Sequence, residues 1–171
     1  MTYLIPILVF TVLVSAADAK GQISSRYTEL APEKCKTIEL TDDEGGSYRG
    51  ECAGVAGYRL EVLEGDLRQS INIVSPDRKV HELKFWEIFG GFSSVGPRAE
   101  WRLRSGKPIA LIVRLNVSEN PEDSSKLTSY LLVAKITNNE ACVTDTIKPS
   151  RTQNADARRA ADSSSRKSCK R

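Results

Sequence analysis

Residues 109–117, reading IALIVRLNV, place Ile109, Leu111, Val113, Leu115 and Val117 at every second position, with Ala110, Ile112, Arg114 and Asn116 between them. Successive side chains of a strand point to opposite faces of a sheet, so this spacing commits the segment to a β-strand with one face buried. Residues 129–136 repeat the pattern: Tyr130, Leu132, Ala134 and Ile136 alternate with Ser129, Leu131, Val133 and Lys135. Shorter alternations follow at Tyr58, Leu60 and Val62, at Leu67, Gln69, Ile71 and Ile73, and at Ala99, Trp101 and Leu103. Glu64-Gly65-Asp66, Ser105-Gly106-Lys107-Pro108 and Thr137-Asn138-Asn139-Glu140 lie between these runs and supply residues suited to tight turns. Hairpin spacing implies antiparallel pairing. The expectation is a mainly β fold, an antiparallel meander forming a small barrel or sandwich. Residues 80–89 fit neither period and read as a strand or a single helical turn, and residues 118–126 read as a polar loop.

The ends differ from this body. Residues 4–14, LIPILVFTVLV, are apolar except for Thr11 and precede Ser15, Ala16, Ala17 and Ala19, which is the form of a secretory signal peptide cut after Ala16 or Ala19. The run is too short to span a bilayer, which takes about 20 apolar residues. Residues 1–19 are therefore set apart as a signal peptide, residues 20–150 as the β domain and residues 151–171 as a basic tail. No transmembrane segment is expected after cleavage. The tail carries net charge +5, while residues 20–150 hold 18 basic and 19 acidic side chains. After Pro149 the chain has no aromatic or branched aliphatic residue, but Asn154 followed by Ala155, Ala157, Ala160 and Ala161 reads as an N-cap and a short α-helix. A total of +3 over 171 residues gives no reason to expect a nucleic-acid partner.

Export makes Cys35, Cys52, Cys142 and Cys169 two disulfides. Three connectivities exist; Cys35 with Cys52 and Cys142 with Cys169 is favoured because each closes a short loop, the second tethering the tail. No Cys-x-x-Cys pair accompanies them and His81 is the only histidine, so neither a metal nor a cofactor is expected.

Three stretches, GYRLEVLEGDLRQSI (57–71), GPRAEWRLRSGKPIALIVR (96–114), and ACVTDTI with QNADARRAAD and a final cysteine (141–169), together resemble a family of small exported alphaproteobacterial proteins of the rhizobial kind, to which no activity is assigned. The resemblance implies a secreted β-rich domain with a C-terminal helix and a Cys142–Cys169 bond. It supplies no catalytic residues.

His81 has no nucleophile motif near it, and oxidised cysteines offer no thiolate, so no catalytic residue is assigned. Arg68, Arg102, Arg104 and Arg114 fall opposite the apolar rows of their strands, where neighbouring strands can align them into a cationic stripe for carboxylate or phosphate groups. Cross-strand pairing with Glu61 or Glu100 is the plainer explanation. Phe85, Trp86, Phe89, Phe92 and Trp101 surround the glycine-rich stretch 90–97. Turned inward they plug one end of a sheet; turned outward, Trp86 and Phe92 would serve a binding surface. The resulting expectation is a periplasmic or secreted, non-catalytic protein that binds an anionic envelope polymer or a protein, as an accessory or inhibitor module. The alternatives are a hydrolase of envelope polymers using paired carboxylates among Glu64, Asp66 and Glu100, and a purely structural or interaction protein.

Overall fold

The structure is a computed structural model that describes residues 21–42, 45–120 and 122–170. The expected signal peptide and its cleavage sites lie outside those residues. In chain order the elements are β1 (Ile23–Glu29), β2 (Lys36–Thr41), β3 (Ser47–Ala53), β4 (Arg59–Gly65), β5 (Arg68–Val74), β6 (Val80–Glu82), α1 (Phe85–Ile88), β7 (Ser93–Arg104), β8 (Lys107–Ser118), β9 (Leu127–Ile136), β10 (Ala141–Ile147) and α2 (Gln153–Asp162). The fold is mainly β with a short C-terminal helix. The ten strands form one sheet in the order β10-β9-β8-β7-β5-β4-β3-β2, with β1 added to β7 and β6 to β5.

Two features differ from a closed antiparallel meander. β5 meets β7 in parallel through a single residue pair, Arg68 with Ser93, so the sheet is mixed. The sheet is also not closed into a barrel. At the far side β6 and β10 approach through side chains: His81 Nδ1 accepts from the Ala141 amide at 3.3 Å, and Lys79 Nζ donates to the Asn139 carbonyl at 2.8 Å. The Lys170 amide donates to the Val143 carbonyl, so the tail lies along β10.

Period two explains the core. Trp101, Leu111 and Ala134 stand in register across β7, β8 and β9, as do Ala99, Val113 and Leu132. Leu60 with Ile73 and Val62 with Ile71 do the same across β4 and β5. All ten belong to one buried cluster, so the two halves of the sheet share a single core. The opposite face of β8 and β9 carries Ala110, Ile112, Leu131 and Val133, and α2 covers it with Ala157 and Ala161.

Local backbone corrects several expectations. At the β4–β5 turn the left-handed residues are Asp66 and Leu67, not Gly65, and Leu67 is an exposed turn residue rather than part of the strand. Gly96 and Pro97 belong to β7, at an irregularity in its pairing with β8, rather than to an open bend. Residues 80–89 contain both a strand and a helical turn. The C-terminal helix starts one residue before Asn154, with Thr152 at the N-cap. Gln153 is buried there because its amide donates to the carbonyls of Ser129 and Ile147. Both favoured disulfides are formed, Cys35–Cys52 and Cys142–Cys169.

Candidate binding surface

The narrow junction between β5 and β7 shapes one end of the molecule. Only one pair joins the strands there, and Gln69 extends it by accepting from the Val95 amide at 2.7 Å. The chain from β6 to β7 reaches this junction pinned by buried Leu83 and Phe85. The next residue, Trp86, is exposed. Phe89 packs on Tyr130 with ring centroids 4.6 Å apart. A Cβ on Gly91 would stand 2.1 Å from the Ser118 carbonyl oxygen, so only glycine lets this loop approach β8 closely. The Ser118 amide then donates to the Phe92 carbonyl at 2.9 Å. Ser93 is buried and Phe92, one residue before it, projects into solvent.

Leu67, Trp86, Phe92 and Leu127 are between 39% and 60% exposed, and all four lie at this end. Three adjoining depressions connect them. The first, of about 570 Å³, is floored by Ile88, Phe89 and Val117 and bordered by Phe92, Ser118 and Glu119. The second shares Phe92 and Ser118 with it and adds Leu67, Leu127 and Glu64. The third shares Glu64 with the second and adds Trp86, Leu63, Asp66 and Arg68. An exposed group of large apolar side chains with a polar rim marks an interaction surface more often than bare solvent contact.

Glu64 and Glu119 at this end are held by neutral donors. Gln69 Nε2 donates to Glu64, and the Tyr130 hydroxyl donates to Glu119 at 2.7 Å. Hydrogen bonds from Thr128 and Tyr130 hold the Glu119 carboxyl below the usual carboxylate range, and the same contact raises the Tyr130 phenol. Asp66 is paired with Arg68 at 2.6 Å.

The other sequence-singled residues are distributed differently. Arg102 donates through two nitrogens to Asp162 at 2.7 and 2.8 Å, and its side chain is only 11% exposed. Arg104 donates to the Asp162 carbonyl, and Arg114 to Ser129 and Gln153. These three arginines hold the C-terminal helix on the sheet and do not line up with Arg68 as one exposed row. Glu100 also faces the helix, where Arg158 binds it at 2.7 Å, whereas Glu64 and Asp66 border the loop end. His81 is half-buried, and its imidazole pKa is lowered chiefly by that burial. Glu140, Cys142 and Cys169 form the one metal-like cluster among the described residues, but its two sulfurs are bonded to each other. Phe85 and Trp101 turn inward, Phe89 is half-buried, and Trp86 and Phe92 turn outward.

Sequence reasoning missed Leu67, Leu127 and Glu119. The available signal for the two leucines was their position, each beside a polar turn or loop where an apolar residue finds no core. Glu119 had no signal, because its hydroxyl partners come from β9. Comparison with known proteins returned no matching family model, no matching curated protein and no matching solved structure. Among the described residues no helix is long and apolar enough to cross a membrane.

Proposed function

We propose that the protein is an exported, non-catalytic binding module, of the accessory or inhibitor kind, that takes a protein partner on the end formed by Leu67, Trp86, Phe92 and Leu127. The observation that carries this reading is the convergence of those four exposed side chains, from three separate stretches of the chain, around adjoining depressions. Two formed disulfides fit an oxidising compartment. A protein partner is favoured over an anionic polymer because Arg102 and Arg114 are bonded to the helix and its neighbours. Hydrolysis gains no support from the carboxylates, since Glu64 and Glu100 border different depressions. Nor does Glu100 suit a general acid. Burial pushes its pKa up, but bonds from Arg158, Ser25 and Tyr27 outweigh that and leave it lowered.

A photo-reactive phenylalanine analogue placed at position 92 of the full chain, in its native host, tests the reading. The expected result is a discrete adduct with another protein, and none when the same analogue replaces exposed Val80 on β6. No adduct at position 92, or the same adducts at both positions, would refute the proposal.

A further inference from the structure

We infer, resting on that reading, that the docking segment of the partner carries basic side chains beside apolar ones, and that Glu119 and Glu64 receive their ammonium or guanidinium groups. Most carboxylates elsewhere on the molecule are compensated internally. Glu29 pairs with Arg98, Glu51 with Arg59, Glu100 with Arg158, Glu140 with Lys135, Asp145 with Lys167 and Asp162 with Arg102. Glu61 and Asp77 are exceptions, accepting from Asn72 and Ser75 with no ion pair among the described residues; the loop end combines that arrangement with exposed large apolar side chains. Among the described residues neither Glu64 nor Glu119 forms an ion pair; neutral donors orient each, and Lys148, beyond ion-pair distance, adds the smallest of the effects on the Glu119 carboxyl.

Neutral donors fix the direction of a carboxylate without cancelling its charge, so the remaining lone pairs stay available to a cation. The geometry around these two groups is matched to such a cation on an apolar carrier. Glu119 borders the depression floored by Ile88, Phe89 and Val117, and its volume of about 570 Å³ is within the range that accepts a large side chain. Glu64 borders the next depression, and Phe92 belongs to both. A basic residue on either side of an apolar one can therefore place its apolar group against Phe92 and its charges toward the two acids. The ring of Phe92 gives an approaching cation a further favourable contact. Arg68 does not offset this field, because it is paired with Asp66.

The test uses the full chain labelled with nitrogen-15, titrated with acetyl-Phe-Arg-amide and with acetyl-Phe-Glu-amide. The arginine peptide is expected to shift the amides of Gly90, Gly91, Phe92 and Ser118 and to bind about fivefold more tightly, the upper end of what an exposed ion pair supplies. Glu119→Gln should reduce that preference, Glu64→Gln should reduce it further, and added salt should erode it in the unmodified chain. Glu51→Gln, which removes a carboxylate paired with Arg59 on β3 that borders none of these depressions, should leave it unchanged. Equal affinity for the two peptides, tighter binding of the glutamate peptide, or shifts of the same amides through self-association alone would overturn the inference. If neither peptide binds while position 92 still gives its adduct, the inference fails and the protein-binding proposal stands. If both are absent, both fall.

Discussion

Glu100 shows what one half-buried acid does in this sheet. Its side chain stands on the helix side of β7, is 11% exposed, and binds Arg158 at 2.7 Å while Arg102 lies 3.8 Å away. The Ser25 hydroxyl donates to it as well. With burial raising its pKa and the Arg158, Ser25 and Tyr27 contacts lowering it more, the folded value lies below the ordinary 4.5. A carboxyl with a depressed folded pKa adds stability that is present above the unfolded value and is lost as pH falls through the folded one. Glu100→Gln should therefore cost about 1.5–3 kcal/mol near neutral pH, the range for a charge-assisted hydrogen bond. The difference from the parent should shrink as the pH falls below the ordinary carboxyl value. Urea unfolding of both chains at about pH 7 and about pH 3 measures this. A difference that stays constant across that interval would mean that the Glu100 charge contributes nothing.

The C-terminal helix is held along its length, largely by polar contacts. Its only wholly buried apolar residues are Ala157 and Ala161, a small area by the standards of a docked helix. The rest of the attachment is polar: Gln153 to the Ser129 and Ile147 carbonyls at one end, Arg158 to Glu100 and Tyr27 in the middle, and Arg102 to Asp162 at the other end. Beyond the helix, Lys167 binds Asp145 and Cys169 is joined to Cys142 on β10. The disulfide thus secures the segment after the helix rather than the helix itself. Replacing both Cys142 and Cys169 by serine should abolish hydrogen-exchange protection at the Lys170 amide and raise exchange through residues 163–170, while amides of residues 157–162 keep theirs. The loss in stability should not exceed about 3.5 kcal/mol, the chain-entropy value for a crosslink with sequence separation 27. Equal loss of protection along the whole helix would show that the bond holds that as well.

At the scale of the molecule, what was legible followed period two. β8 and β9 were readable because their core-facing rows are unbroken, whereas β1, reading ISSRYTE, pairs with β7 while exposing most of its residues and so carries no apolar alternation. Sheet order was not legible, since the single parallel bridge at Arg68 and Ser93 has no sequence signature. Arg102, Arg104 and Arg114 lie opposite the apolar rows of their strands as the alternation implies, yet their partners Asp162 and Gln153 come from the helix and are distant in sequence. This dependence of the sheet on its tail supports a last prediction. A chain ending at Pro149 would uncover Ala110, Ile112, Leu131 and Val133 as a continuous apolar strip and leave Glu100 and Arg102 without their helix partners. It would also remove the excess of positive charge, leaving residues 20–149 with 18 basic and 19 acidic side chains, and a net charge near zero favours association. Made together with Cys142→Ser, so that no unpaired thiol confuses the result, the shortened chain should bind an apolar dye and scatter light at concentrations where the full chain does neither. Adding Ile112→Thr and Leu131→Thr to it should restore solubility if the uncovered strip is responsible, and should leave the scattering unchanged if loss of charge is the cause.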